Sequence, residues 1–431
     1  MLTRARWGTF LTFALAGLLI GVWVARMPAL AAKFGTSEGE IGIVVLVWGL
    51  GAIVAMQALR GLMAWAGSRA VLRAALPLTS LSLAAVALVP GYGGLLAAVV
   101  LFGMAFGVTD IAMNAQGSVV ERAYRRSVMS GMHAGWCVGA VGGGVFGVAT
   151  AAAGLGFTAT LLIAALLSLP AGVALGRTYL PDPPRPAASG GGRARRRLPA
   201  AVYLIGVLGF LAFMTEGSIA DWSGLLLHEE MGASEAVAAA GYPVFELAML
   251  LGRLVGDRVR MRVGTRRLLT GAGIGTALGM TVVVLAPGPG IAIAGFFVTG
   301  LVVCTIVPTT ISLAGTAAPD RPAAAVAQVG AMGYGGLLLG PVVVGFLGEL
   351  TSLRVGVGAV VLLALVIAAG AHFGRIDSAA DAAAPVDAAP ADTAPVDGVD
   401  AAPADLAVPE EPADVPVQGD PDDTRPEPIV V

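Results

Sequence analysis

The sequence has little charge and few of the residues from which catalytic sites are built. Only 13% of its 431 residues are charged, and it has two cysteines and three histidines. It contains no P-loop, no HExxH motif, no Cys and His pairs at metal-binding spacing, and no GxSxG placed between a strand and a helix. We therefore expect neither an enzyme nor a bound cofactor or metal, and any transport must draw on a solute or ion gradient.

Long apolar segments dominate what is present. Hydrophobic residues make up 57% of the chain, and a helix needs about 20 apolar residues to cross a bilayer. The sequence predicts an all-α polytopic membrane protein with twelve spans, at about 8–30, 40–62, 70–90, 94–117, 127–150, 155–177, 200–224, 236–257, 267–286, 290–314, 323–348 and 353–374.

The basic residues predict how the chain is oriented. Twenty-two of them fall at the N-terminus and in every second gap between spans, whereas the other gaps hold only Arg26, Lys33 and Arg354. Short cytoplasmic loops retain Lys and Arg, so both termini are predicted to be cytoplasmic. We expect a multi-pass protein of the bacterial plasma membrane, monomeric and without a nucleic-acid partner.

The chain is predicted to divide into four parts. A six-helix half (1–179) is followed by a basic linker rich in Pro and Gly (180–199), a second six-helix half (200–375) and an acidic tail rich in Ala, Pro and Asp (376–431). Faint similarity at an offset near 195 residues favours a duplicated unit. The tail is predicted to be disordered, and an inert solvating role is favoured over a regulatory one.

Ionisable side chains inside a span cost about 2.5 kcal/mol or more unless they are sheltered, so they mark candidate sites. In the first half, Asp110 has Asn114 one turn later on its face, and His133 is followed on its own face by Trp136 and Cys137. We expect Asp110, Asn114, His133 and Trp136 to line a cavity. The alternative is a structural hydrogen bond between neighbouring helices.

In the second half, Glu216 and Glu246 both fall near the middle of a predicted span. A carboxyl group buried there can carry a proton or bind a solute. The alternative is a fixed ion pair between Glu246 and Arg253. Nearer the outer end of the same span, Trp222 is predicted to be an interfacial anchor, and Asp221 to form an outer gate with Arg26.

Polar residues interrupt the tenth span, and Gln328 and Tyr334 lie in the eleventh. At the offset near 195, two threonines of the tenth span would stand where Asp110 and Asn114 stand in the first half. That correspondence favours a cavity-facing role, although threonines often bond back to their own helix. The candidates added here are Thr305, Thr309 and Gln328.

These features resemble the major facilitator superfamily of secondary transporters, over residues 8–374. The loop after the eighth span, from Gly252 to Gly264, looks like the G-x-x-x-D/E-R-x-G signature of that family. The resemblance implies that Arg253, Asp257 and Arg258 form a cytoplasmic gate. The equivalent loop after the second span keeps Gly67 and Arg69 but lacks the acid.

Two further stretches, at 113–136 and 216–227, look like the YbjJ-like branch, which is similar to fucose–proton symporters. Those symporters use acids on spans one and four. Asp110 matches the second acid, but span one here has none.

The prediction is therefore a secondary transporter of a small polar solute, with sugar-like molecules among the candidates, coupled to protons and working by alternating access. Efflux by proton antiport is the alternative within the same class. A membrane sensor or scaffold that signals through the acidic tail is the alternative from another class.

Overall fold

The structure is a computed structural model, and it describes residues 2–58, 60–124, 128–182, 197–318 and 321–374. Most of the predicted linker and the whole predicted tail lie outside the described residues, so the four-part division stays a prediction. The side chain of Asp257 is also outside the described part.

The described residues of the first half form seven α-helices. They are α1 (Leu2–Ala25), α2 (Met27–Phe34), α3 (Glu38–Ala58), α4 (Arg60–Leu88), α5 (Tyr92–Tyr124), α6 (Met129–Ala152) and α7 (Phe157–Leu175).

The described residues of the second half form eight α-helices and one π-helical turn. They are α8 (Ala200–Leu225), the π-turn (Leu226–Glu230), α9 (Glu235–Ala239), α10 (Gly241–Val263), α11 (Thr265–Leu285), α12 (Pro289–Val303), α13 (Ile306–Ala317), α14 (Pro322–Leu350) and α15 (Leu353–Phe373).

Twelve helical segments in the described residues are long and apolar enough to cross a membrane, which confirms the predicted number of spans. The tenth span is divided at Cys304 and Thr305 into α12 and α13, so the predicted interruption by polar residues is also confirmed. A break that the sequence did not predict lies at Arg26, between α1 and α2. Pro28 in the first turn of α2 suits this break because its missing N–H needs no partner there.

Glycines allow the central helices to approach each other closely. A Cβ on Gly139 of α6 would lie 1.8 Å from the carbonyl oxygen of Ala14 in α1, and one on Gly143 would lie 2.1 Å from that of Leu18. Small residues permit this approach in membrane helices, where dispersion contacts replace the hydrophobic effect as the force that holds helices together. The first half is therefore built around the crossing of α1 and α6.

The second half repeats this crossing with α8 and α14. Gly336 and Gly340 of α14 stand against the carbonyl groups of Phe210 and Met214, at Cβ distances of 2.0 and 2.3 Å. The number of residues that separates Gly139 from Gly336 equals the number that separates Gly143 from Gly340. We call this shared spacing the glycine offset. The duplication predicted from sequence is therefore present as repeated backbone packing.

The glycine offset corrects the predicted offset near 195. A further pair of contacts agrees with it, because Gly103 meets the carbonyl of Trp48 and Gly300 meets that of Phe245. At the glycine offset the counterpart of Asp110 is Val307. The predicted equivalence of Thr305 and Thr309 with Asp110 and Asn114 is wrong, because two residues of shift turn a helix position by about half a turn.

The two halves also repeat one loop conformation at the end of the bundle where the arginines collect, here called the basic end. Gly67 has φ 77° and ψ 163°, and Gly264, its counterpart at the glycine offset, has φ 82° and ψ 158°. Side-chain-bearing residues rarely adopt this region, which explains glycine at both positions.

Asp182, which follows α7, supplies the acid that the first of these loops lacks. Its carboxylate accepts hydrogen bonds from the Ser68 hydroxyl (2.7 Å) and from the Arg69 backbone N–H (3.2 Å). The Ser68 hydroxyl also lies 3.1 Å from Gln116 Oε1 of α5. Burial raises the pKa of Asp182, but these hydrogen bonds outweigh it, so the pKa lies below its usual value. Asp182 thus ties the start of the linker to the first half.

We expect Gly139→Val to lower the free energy of unfolding by about 2 kcal/mol or more, because a side chain there meets backbone that cannot move aside. Thermal unfolding in detergent measures the effect. Gly142→Val on the same helix is the matched control, since a Cβ at Gly142 meets nothing within 4 Å. Equal unfolding temperatures for the two variants would contradict the role given to the crossing.

We expect Asp182→Asn to cost about 0.5–1 kcal/mol at neutral pH, a small value because Asp182 is exposed. A carboxyl group with a lowered pKa stabilises the fold above its unfolded pKa, and this contribution disappears as the pH falls through the folded pKa. The unfolding temperatures of wild type and variant should therefore converge in acid. A difference that stays constant down to about pH 3 would contradict the assignment.

Candidate functional site

One polar contact joins the two halves through Asp110. Tyr334 of α14 donates its hydroxyl proton to Asp110 Oδ2 of α5 at 2.8 Å. Asn114, one turn later on α5, donates to the other carboxylate oxygen at 3.2 Å and to the Asp110 carbonyl at 2.8 Å. The predicted pairing of Asp110 with Asn114 on one face is therefore present, and its partner across the interface is a tyrosine.

A second polar contact joins the halves through Arg253. Its Nη1 donates to the Sγ of Cys137 on α6 at 3.1 Å. The Glu216 and Glu246 carboxylates both lie within electrostatic reach of the same guanidinium. Glu246 accepts a hydrogen bond from Tyr242, one turn earlier on α10, at 3.1 Å. Neither carboxylate lies within ion-pair distance of Arg253 among the described residues, so the guanidinium acts on both through space. We call Glu216, Glu246, Arg253 and Cys137 the charge cluster.

The two interface contacts use equivalent positions of the repeat. Cys137 on α6 and Tyr334 on α14 are related by the glycine offset, like the glycines of the two central crossings. Each residue contacts a charged side chain of the opposite half. The same position of the repeat therefore lies at the interface in both halves, and it is a cysteine in one half and a tyrosine in the other.

Three polar atoms of the charge cluster are buried without a hydrogen-bond partner among the described residues. They are Glu216 Oε1, Glu246 Oε2 and Arg253 Nε. A buried polar group without a partner costs about 1–3 kcal/mol, and more when it is charged. The two carboxylate oxygens can therefore accept a proton or a hydrogen bond from a polar ligand, and the Arg253 Nε–H can donate one to it.

His133 and Trp136 lie on α6, toward its basic end. The His133 ring is 5.3 Å from the Phe13 ring of α1, and the Trp136 ring is 5.8 Å from the Phe106 ring. No contact between His133 and Asp110 is found among the described residues. Trp136 extends an aromatic row that includes Trp48 and Phe102.

Two other predicted site residues contact the site less directly. Thr305, at the break between α12 and α13, donates to the Val302 carbonyl of its own span at 3.2 Å. It also lies against Gly256 of α10, at a Cβ distance of 3.1 Å. Gln328 is half-buried on α14, nearer the basic end than Tyr334. A direct role for either in binding stays a prediction.

The predicted gate residues lie in two different settings. Arg253 takes part in the charge cluster described above. Arg258 is exposed, and its Nη1 donates to the Leu254 carbonyl at 3.3 Å. Asp257 belongs to α10, and its side chain lies outside the described part. The gate formed by these three residues stays a prediction.

At the end opposite the basic end, Arg26 holds the two halves together. Its side chain is 1% exposed, its Nη2 lies 3.0 Å from Glu235 Oε2 of α9, and the same atom donates to the Leu155 carbonyl at 2.7 Å. Burial lowers the pKa of Arg26, and Glu235 partly offsets that effect. The predicted partner Asp221 is therefore wrong, because it lies on α8 within the bundle whereas Arg26 pairs with α9.

A second contact closes the same end. Glu349 of α14 accepts a hydrogen bond from the backbone N–H of Gly39, in the first turn of α3, at 3.0 Å. A carboxylate at a helix N-terminus is stabilised by the helix dipole.

The predicted role of Trp222 nearby as an interfacial anchor is wrong. It is fully buried, and its Nε1 donates to the Pro341 carbonyl at 2.9 Å.

Sequence reasoning missed two contributors to the site. Tyr334 and Cys137 were noticed within their spans, but nothing in the sequence marked them as contacts between the halves. The correct repeat offset would have paired them with each other, and it is visible only in the backbone.

Among the described residues, no group of three His, Cys, Asp or Glu side chains could hold a metal ion.

Three bacterial proteins match most of the chain. An uncharacterized MFS-type transporter of Yersinia pestis is 34% identical, with 84% of this chain and 94% of that protein aligned. The uncharacterized transporter y4wD of Sinorhizobium fredii is 32% identical over 83% of this chain and 94% of its own length. The membrane protein MosC of Rhizobium meliloti is 27% identical over 84% and 88%.

Solved structures show the same fold at low identity. A bacterial homologue of the human lysosomal transporter Spinster, in an inward-facing and occupied conformation, superposes with a TM-score of 0.69 at 14% identity, covering 88% of this chain and 96% of that one. A mutant of the nucleoside transporter NupG gives 0.69 at 17%, covering 86% and 98%. The family description "Major Facilitator Superfamily" matches residues 8–288 and 205–403. The chain is therefore a multi-pass membrane transporter that belongs to the major facilitator superfamily.

Proposed function

We propose that the protein carries a small polar solute together with a proton, and that Glu216 is the proton carrier. The observation that carries this proposal is the composition of the charge cluster, in which two carboxylates, each with one buried oxygen that lacks a hydrogen-bond partner among the described residues, lie within electrostatic reach of one guanidinium. One guanidinium neutralises one carboxylate, and the second must hold a proton or a cation because an uncompensated charge in a bilayer core is costly.

Hydrogen bonding separates the roles of the two glutamates. Glu246 is fixed by Tyr242, at 3.1 Å, and lies on the same helix as Arg253. Glu216 comes from α8, and its Oε1 is buried without a partner among the described residues. Glu246 therefore serves as the standing partner of Arg253, and Glu216 gains and loses the proton.

The position of the cluster links protonation to movement of the halves. Arg253 contacts Cys137 of the opposite half. If the guanidinium moves toward Glu216, it weakens this contact between the halves. When Glu216 is ionised, it draws the guanidinium toward the second half. When Glu216 is protonated, that pull is lost. The proton thereby changes the relative free energy of two arrangements of the halves, as alternating access requires.

The solute is proposed to be rich in hydroxyl groups. The contact between Asp110, Asn114 and Tyr334 offers carboxylate, amide and phenol groups at the interface of the halves. Such groups suit a sugar-like molecule, in agreement with the resemblance to the YbjJ-like branch and the fucose–proton symporters. NupG is described as a nucleoside transporter, and a nucleoside contains a sugar, so nucleosides belong among the candidates.

The orientation follows from the arginines. Cytoplasmic termini place the basic end inside the cell, and the pair of Arg26 with Glu235 then closes the outer end. In this proposal the protein lies in the plasma membrane of a bacterium. Transport of a solute requires no catalytic group.

In liposomes that enclose a pH dye, we expect addition of the transported solute to acidify the lumen in the wild type. Hexoses, sugar acids, nucleosides and amino acids form the panel. Glu216→Gln should abolish the acidification but retain exchange of radiolabelled solute across the membrane, because a permanently neutral residue 216 still permits the loaded protein to change conformation. Glu229→Gln, an exposed acid outside the cluster, is the matched control. Unchanged acidification in Glu216→Gln would contradict the assignment of the proton carrier.

We expect Glu235→Gln to open the end that Arg26 closes. The variant leaves a buried guanidinium with a weaker partner, at a cost of about 1–2 kcal/mol, since Glu235 is 42% exposed. About 1.4 kcal/mol changes a two-state ratio tenfold. Spin labels at the exposed positions Ala153 and Leu350, one in each half, report the separation of the halves by pulsed electron paramagnetic resonance.

Cys137 and Cys304 are buried, so they need not be replaced, because the spin-label reagent reacts with the exposed cysteines introduced at 153 and 350. The longer distance should gain population in Glu235→Gln, and Glu229→Gln should match the wild type. If the distance distribution of Glu235→Gln is that of the wild type, the ion pair does not hold this end closed.

A further inference from the structure

We propose that a groove between α11 and α15, at the basic end of the second half, binds the phosphate headgroup of an anionic phospholipid. The groove has a volume of about 550 Å³ and is lined by Arg266, Arg267, Thr270, Gly271, Ile274 and His372. This inference does not depend on the proposed solute or on proton coupling.

The repeat explains why the groove exists in one half only. At the glycine offset, the counterpart of Thr270 in the first half is Arg73 of α4. Arg73 lies across α7 and donates its Nε–H to the Gly176 carbonyl at 2.7 Å. Thr270 is much shorter and cannot reach α15 in that way. The space that the arginine side chain occupies in the first half is therefore left open in the second.

The polar groups of the groove suit a phosphate. Arg266 donates to the His372 carbonyl, which places its guanidinium beside the last turn of α15. Arg267 is exposed on the next position of α11, and Thr270 Oγ1 is buried without a hydrogen-bond partner among the described residues. Arginine side chains bind phosphate oxygens through paired N–H groups, and a threonine hydroxyl can donate a further hydrogen bond.

The walls of the groove favour a lipid over a free anion. Ile274, which lines the groove, is 46% exposed, and Leu278 one turn further along α11 is 63% exposed. Phe373 beside His372 is 81% exposed. An apolar surface thus continues from the basic groove toward the middle of the span, where acyl chains lie. Basic pockets between helices at the cytoplasmic side of a membrane bind anionic headgroups in this way.

Native mass spectrometry of the full chain, freed of bound lipid and then mixed with single lipids, tests the proposal. We expect more bound phosphatidylglycerol than phosphatidylcholine in the wild type. Arg266→Gln combined with Arg267→Gln should remove that preference. Arg262→Gln, an exposed arginine at the same end that does not line the groove, is the matched control and should keep it.

Thr270→Arg separates the groove from general electrostatics. It installs the residue that the first half carries at the equivalent position, so it adds positive charge while filling the groove. We expect it to bind less phosphatidylglycerol than the wild type, and Thr270→Met, which fills the groove without charge, to do the same. Thermal unfolding confirms that each variant is folded.

Two results would overturn the proposal. If Thr270→Arg binds as much phosphatidylglycerol as the wild type or more, surface charge alone accounts for the preference. If inorganic phosphate at millimolar concentration displaces phosphatidylglycerol from the wild type, the acyl chains contribute nothing, and the groove is a site for free anions.

Discussion

The structure depends on two helix crossings in which glycine meets backbone. In a bilayer, apolar side chains gain little by leaving lipid for protein, so helices associate where close contact adds dispersion energy. Gly139 and Gly143 bring α6 against α1, and Gly336 and Gly340 bring α14 against α8. Each crossing places one face of α6 or α14 at the interface between the halves, where Cys137 and Tyr334 lie. The site can exist because these two crossings fix the depth and rotation of those helices.

The duplicated frame carries unequal charge. Asp110, in the first half, meets a neutral tyrosine across the interface, whereas both glutamates and Arg253 belong to the second half. Their structural counterparts in the first half are Ile20, Gly49 and Met56, which carry no charge. The charged groups to which we assign the proton chemistry therefore belong to one copy of the repeat and are not a property of the repeated unit. The groove at Thr270 has the same origin, since one substitution relative to Arg73 changes what that position does.

The number of spans followed from hydropathy because every span has to be apolar on its own, whatever it packs against. The position of Asp110, Glu216 and Glu246 within spans followed for the same reason. What a residue contacts across helices could not be predicted, because contacts depend on rotation about the helix axis. An error of two residues in the repeat offset was enough to pair Asp110 with Thr305 in place of Val307. Arg26 shows the limit most clearly, since its partner Glu235 lies at the very start of the eighth span, where hydropathy indicates a span but not a contact.

The contacts between the halves constrain how alternating access can work here. Arg26 and Glu349 hold the halves together at one end through charged groups, while Arg253 and Tyr334 do so near the middle. In the proposed function, opening the outer end requires breaking the contacts of Arg26 and Glu349, whereas a proton on Glu216 acts only at Arg253. Proton coupling of this kind requires each half to move as one rigid body, so that a change at Arg253 reaches Arg26. Close backbone packing supplies that rigidity, because helices in glycine contact cannot slide past each other without a clash of carbonyl groups.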